Sequence, residues 1–145
     1  MTHRGSDALA ALTYMPAVHV EIRQSKGKGR GVFATRRIRG GQVIETVPAL
    51  LVPKSQVDAL AETFLGHYMF TTDNNKNLVI GLGITSLLNH DDDANAEFYV
   101  TIDSVTIKAK RAIPAGTEIT INYSWRAEEW ARLGVELPRP KADVD

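Results

Sequence analysis

Along most of the chain, apolar and polar positions alternate in short stretches broken by glycine, proline and aspartate, a pattern that predicts strands rather than long helices. Val18, Val20 and Ile22 alternate with His19, Glu21 and Arg23, the period of a half-buried strand, and the folded domain is expected to start near here. In SKGKGRG, Gly27, Gly29 and Gly31 leave the backbone free to turn tightly. Apolar runs at Val32-Phe33 and from Gln42 to Val47 read as strands joined by the basic turn Arg36 to Gly41. From Ser55 the spacing changes: Val57, Leu60, Ala61, Phe64 and Leu65 recur at helical intervals, and Ser55 with Asp58 resembles a capping box, so one short helix is expected. His67 to Thr71, Leu78 to Leu82, Asn95 to Ile102 and Val105 to Ala112 read as further strands, with Asp103-Ser104 as a tight hairpin turn. Pro114 to Gly116 makes another turn before the strand TEITINY. WRAEEWARL, stopped by Gly134, predicts a terminal helix with Trp130 on one face. The expectation is a compact, mainly β domain with short helices over residues 17–133. A leader (1–16) and a tail (134–145) flank it, both expected to be poorly ordered.

Size and charge narrow the field. A chain of 145 residues has room for one ordinary domain and not for two. Seventeen basic side chains balance seventeen acidic ones, so no excess of positive charge points to nucleic acid. The absence of cysteine removes disulfides, thiolate zinc sites and a thiol nucleophile together. No run of 18 apolar residues predicts a membrane span, and the first twenty residues lack the apolar core of a signal peptide. The expected location is the cytoplasm if the chain is bacterial and intracellular otherwise, with secretion into a host cell left open.

Three segments carry candidate chemistry. GKGRGVFA offers glycines that let main chain approach a ligand closely. The residues after Gly31, Val-Phe-Ala-Thr, favour a strand, which rejects a dinucleotide fingerprint, and a glycine-rich hairpin is the plain alternative. SLLNHDDDAN gathers Asn89, His90 and three aspartates. A calcium-loop register starting at Asp91 fails, because Ala96 stands where glycine is required and Ile102 where glutamate is; the expectation is no metal, a solvated acidic loop and a satisfied Asn-His pair. IPAGTEITINYSW is a turn and an alternating strand that ends at Tyr123, with Trp125 close behind. A tyrosine at a strand end is more often packing than catalysis.

In this order and spacing the three segments resemble the SET family, whose pattern is a G-x-G loop, an N-H-S-C-x-x-N loop and G-E-E-hydrophobic-x-x-x-Y. The resemblance runs from about Val18 to Trp130. The HYMF segment and GLGITSLLNH make the chain look most like the small stand-alone viral and bacterial members. It implies a β-clip fold whose C-terminal segment is threaded as a pseudoknot. It also implies a protein lysine methyltransferase that uses S-adenosyl-L-methionine, yields S-adenosyl-L-homocysteine, and acts on a histone tail or another basic protein presenting lysine. By the same resemblance, Lys28, Gly29, Arg30 and Gly31 border the cofactor, and Asn89 and the His90 main chain hold it. Tyr123 is the catalytic tyrosine, Tyr68 lines the cofactor and lysine channel, and Trp125 or Trp130 covers the adenine. Ile121 falls where members that stop at one methyl often carry tyrosine, so more than one methyl is expected. A homodimer is plausible by analogy with the viral members.

The chain departs from the pattern at Asp91-Asp92-Asp93-Ala94, where Ser-Cys-x-Pro is usual, while Asn89, His90 and Asn95 are kept. The rival reading is a non-catalytic module of the same fold that binds a basic peptide through the acidic run.

Overall fold

A computed structural model describes residues 13–74 and 76–124. Nine strands run through them in the order β1 (Val20–Ser25), β2 (Gly29–Ala34), β3 (Val43–Leu51), β4 (Met69–Thr71), β5 (Leu78–Gly81), β6 (Asn89–His90), β7 (Ala96–Val100), β8 (Ser104–Ala109) and β9 (Glu118–Ile121). The helix α1 (Val57–Ala61) and three 3-10 turns, Lys54–Gln56, Phe64–Tyr68 and Ile84–Leu87, complete the described elements. The strands form a four-stranded sheet, β1-β2-β9-β6, and a five-stranded sheet, β4-β5-β3-β8-β7.

Between them lies an aliphatic core in which Val32, Val79, Val105, Ile107, Ile113 and Ile119 have no exposed surface. Branched side chains suit this setting, since they pack well on a pleated surface and lose little freedom there. Phe70 and Phe98 meet edge to face at 5.4 Å. Just past β4, the Asp73 N–H donates to the Val100 carbonyl and the Asp73 carboxylate accepts the Val100 N–H, so the two outer strands of the larger sheet are drawn towards each other.

The β1–β2 hairpin turns at Ser25–Gly29, where the Lys28 N–H donates to the Ser25 carbonyl and Gly27 and Gly29 hold φ of 73° and 80°. A side chain at either glycine would be strained. The predicted half-buried strand from Val18 is corrected here. The strand begins at Val20, and Val18 and Ile22 are 61% and 50% exposed, because β1 is an outer strand and β2 takes the core-facing place.

The single helix expected from Ser55 is also corrected. Its stretch divides into a 3-10 turn, the five-residue α1 and a second 3-10 turn. The Ser55 capping box does not form, and α1 starts without a side-chain cap. Thr63 breaks it: its hydroxyl donates to the Leu60 carbonyl and accepts from the Leu65 N–H, local bonds that compete with helix continuation. Gly66 lets the chain double back, since a Cβ there would lie 2.8 Å from the Ala61 carbonyl oxygen. Of the predicted strand from His67, only Met69–Thr71 is extended; His67 and Tyr68 belong to the 3-10 turn. The expected hairpin at Asp103-Ser104 forms between β7 and β8, with the Ser104 N–H capped by the Thr101 hydroxyl. The terminal helix with Trp130, the residue Trp125, the leader to Leu12 and the tail lie outside the described residues.

A buried carboxylate sets the approach to β6. Glu45, on the central strand β3, accepts from the Ile84 and Thr85 N–H groups at 3.1 and 2.9 Å and so caps the 3-10 turn leading into Leu88 and Asn89. Burial raises its pKa, and backbone donors from Ile84, Thr85 and Ala17 pull it back. Gly83 makes room, because a Cβ there would lie 2.5 Å from a Glu45 carboxylate oxygen. Glu45→Ala orphans these donors, and equilibrium urea unfolding is expected to show a loss of about 3 kcal/mol, one to three per stranded buried donor. Glu45→Gln, which keeps one acceptor, is expected to lose less.

Candidate active site

Strand β9 enters between β2 and β6, antiparallel to β2 and parallel to the two-residue β6. This interlock brings the first and third sequence segments against the second. The Asn89-His90 segment, expected as a loop, is a short parallel strand: Asn89 pairs with Thr120 and His90 with Ile121. Asn95, just before β7, supports β9, its side chain donating to the Glu118 carbonyl at 2.8 Å and accepting from the Thr120 N–H at 3.0 Å.

At the junction stands Glu118, a buried carboxylate that the sequence reading did not single out. One of its oxygens accepts from the Ser25 hydroxyl at 2.9 Å and the other from the Asn89 amide at 2.7 Å. The same Asn89 nitrogen donates to the Arg30 carbonyl at 2.9 Å, which uses both its N–H groups and leaves its carbonyl oxygen for a ligand. Lys28 donates from Nζ to the His90 carbonyl at 3.0 Å. A Cβ at Gly31 would lie 2.5 Å from a Glu118 oxygen and 3.0 Å from the Asn89 nitrogen, so this glycine serves the close approach of β2 to the carboxylate. At Gly29 a Cβ would meet nothing within 4 Å. Lys28, Gly29, Arg30, Gly31, Asn89 and His90 are thus brought together.

Beyond β6 and β9 lies a cleft of about 380 Å³ whose lining includes Tyr68, Phe70, Leu88, Phe98, Ile121 and Tyr123. Tyr123 follows β9 by two residues, with its hydroxyl donating to the Leu88 carbonyl at 2.7 Å. Burial chiefly, then the neighbouring Tyr68 and Glu118, pushes its phenol up to about 12. His90 joins the two regions: its Nδ1 accepts from the Tyr123 N–H at 3.0 Å, and the two rings meet edge to face at 5.2 Å. The expected Asn-His pair is corrected in detail. Each side chain is bonded, but to different partners, Asn89 to Glu118 and Arg30, His90 to Tyr123 and Asp92.

The acidic run is tied down by backbone contacts. Arg111 reaches the Ala94 and Asp93 carbonyls at 2.9 and 3.0 Å, and Asp91 accepts from the Asp93 N–H. The Asp92 and Asp93 carboxylates stay solvent-facing, at 86% and 93% exposure.

The described residues form an interlocked β domain in which a cleft lined in part by Tyr68 and Tyr123 is joined through His90 to a polar, glycine-walled junction. The family model of the SET domain matches residues 29–124, and the chain belongs to that family. It is 32% identical over 110 residues, 72% of each chain, to a Schizosaccharomyces pombe protein named histone-lysine N-methyltransferase, H3 lysine-37 specific. In fold it is similar to a putative histone methyltransferase of Plasmodium falciparum, at 24% identity and TM-score 0.62, covering 74% of this chain and 95% of that one. It is also similar to the Neurospora SET-domain histone lysine methyltransferase DIM-5, at 23% identity and TM-score 0.59, covering 74% and 52%.

Proposed function

We propose that this chain transfers a methyl group from S-adenosylmethionine to the ε-amine of a protein lysine. The observation that carries this reading is the placement of Tyr123: its phenol lies in the cleft, and its main chain is bonded to His90, which neighbours the Lys28–Asn89 junction. A ligand with an amino-acid end fits that junction. The Asn89 carbonyl oxygen is left to accept from an ammonium, Lys28 brings a positive charge for a carboxylate, and the space beside Gly29 is open. When bound, S-adenosylmethionine supplies a sulfonium-activated methyl group.

The residues of the chain do the rest. A lysine stem entering past Phe70, Phe98, Leu88 and Ile121 loses water around its amine. Desolvation disfavours the ammonium, whose reference pKa is near 10.4, and so assists loss of its proton. Tyr123 is not the group that takes it: with its pKa near 12 the phenol keeps its own proton and donates to Leu88, which leaves its oxygen lone pairs to orient the incoming amine. The catalytic contribution is alignment and dipole placement, with no dedicated base.

The histone activity named for the S. pombe relative makes a histone tail the first substrate to test. Ile121 is 1% exposed and lines the cleft, an apolar wall that offers no hydroxyl to hold a water or a partly methylated amine. The expected products are therefore di- or trimethyllysine as well as monomethyllysine. Mass spectrometry after prolonged reaction tests this, and monomethyllysine alone would contradict it. The rival, a binding module without catalysis, is favoured by the exposure of Asp92 and Asp93 to an incoming basic peptide. Transfer of labelled methyl to histone or lysate proteins, lost in Tyr123→Phe, separates the two.

A further inference from the structure

The stretch where this chain departs most from the family pattern, Asp91 to Ala94, contains a side chain bonded directly to the residue that seats Tyr123. His90 Nε2 lies 2.7 Å from Asp92 Oδ1, while its Nδ1 lies 3.0 Å from the Tyr123 nitrogen. A backbone N–H can only donate, so Nδ1 must be bare and Nε2 must carry the proton, through which it donates a hydrogen bond to the carboxylate. The imidazole is 8% exposed and the carboxylate 86%. The carboxylate faces solvent, so its bond to the ring adds little to stability, and holding the ring's orientation is the consequence with content.

We propose that Asp92 is a positioning residue. It fixes His90 in the Nε2–H tautomer, and the bare Nδ1 in turn anchors the main chain of Tyr123 and so the placement of its phenol in the cleft. This rests on the reading of Tyr123 as the catalytic tyrosine. Protonation of His90 puts a second N–H on Nδ1, facing the Tyr123 N–H donor to donor, and breaks the anchor. Among the described residues, the groups around His90 include Asp91 and Asp92 on its own segment, Lys28 from the β1–β2 turn through the His90 carbonyl, and Tyr123 after β9, with Glu118 beyond Asn89 and Tyr68 beyond Tyr123.

The test couples ¹⁵N NMR of His90 and the Tyr123 amide with pH profiles of methyl transfer, on wild type, Asp92→Asn and His90→Asn. In the wild type, Nε2 is the protonated nitrogen at neutral pH, and the Tyr123 amide resonance moves as His90 titrates. The kcat falls along the same acid limb, with KM for the methyl acceptor changed less than twofold. Asp92→Asn keeps the shape without the charge, so the preference for the Nε2–H tautomer weakens in the ¹⁵N spectrum and kcat falls several-fold across the pH range. His90→Asn removes the imidazole, so the Tyr123 amide resonance no longer moves over the acid range and the acid limb disappears from the remaining activity.

An Nδ1-protonated tautomer, or a Tyr123 amide indifferent to the titration of His90, overturns the proposal. So do Asp92→Asn and His90→Asn profiles that superimpose on the wild type. The NMR arm does not need catalysis. An inactive wild type whose His90 and Tyr123 amide behave as described would therefore sink the methyltransferase reading while leaving the anchor standing.

Discussion

Gly31→Ala is expected to lower stability by about 3 kcal/mol, the range of an overpacked buried site that also breaks a polar network. For a chain of this size that is a fall in melting temperature of about 10 °C. The reason is not backbone conformation, since Gly31 lies in β2, paired with Arg23, and is absent from the positive-φ glycines. It is the added methyl, which would sit 2.5 Å from a Glu118 oxygen and 3.0 Å from the Asn89 nitrogen. Both partners are held elsewhere, Glu118 by Ser25 and Asn89 by Arg30, so neither can retreat without losing a bond. Gly29→Ala makes the contrast: its cost is the left-handed φ of 80°, about 1–2 kcal/mol, with open space around the new methyl. Cofactor affinity is expected to follow Asn89 and fall at least tenfold in Gly31→Ala. Calorimetric unfolding and cofactor titration of both variants check this, and a Gly31→Ala protein as stable as the wild type would show that the β2–β9–β6 junction is not built around Glu118.

Tyr123→Phe is expected to lower kcat by about 10²- to 10³-fold, the usual effect of removing one oriented polar group from a reacting centre. Cofactor affinity should change only a few-fold, because the junction that receives it is made by Lys28, Asn89 and the His90 main chain. The fold should survive, since the ring still packs on His90 when the bond to the Leu88 carbonyl is lost. The pH dependence has a definite sign. Raising a phenol's pKa on folding stabilises the protein fully below the ordinary value near 10, and that contribution is lost as pH rises through about 12. Between pH 7 and 10 the wild-type rate is therefore expected to show no step from Tyr123. A variant with wild-type kcat would assign the tyrosine to packing alone.

Much of this arrangement is legible in the sequence, for reasons that can be located. Alternation gave the β7–β8 hairpin because β8 has one face in the core, and the glycines of SKGKGRG gave the tight turn because Gly27 and Gly29 need positive φ. Tyr68, Asn89, Ile121 and Tyr123 were found through motif order, and they lie together around β6, β9 and the cleft.

Glu118 was passed over for a physical reason. Alternation in TEITINY sets Glu118 and Thr120 on the polar side, yet all four residues of β9 are buried, because the strand lies between two others and is covered on both faces. The broken helix after Ser55 was hidden because the cause is a local hydroxyl, that of Thr63, and no residue of α1 is buried to enforce the longer period. The exposure of Ile22 could not be read either, since a strand's pattern does not say whether its neighbour or the solvent takes the apolar face. The sequence shows Asp91 to Asp93 only as a departure from the family pattern; in the folded chain Asp92 is bonded to the very histidine that holds Tyr123.

The central claim is methyl transfer to lysine, and the direct measurement is incubation of the purified protein with methyl-labelled S-adenosylmethionine and histones or lysate proteins. Binding of the cofactor is followed in parallel. The account predicts that the wild type binds S-adenosylmethionine and places label on lysine ε-nitrogens, and that Tyr123→Phe binds it but transfers at least a hundredfold less. A wild-type protein that does not bind S-adenosylmethionine would contradict it.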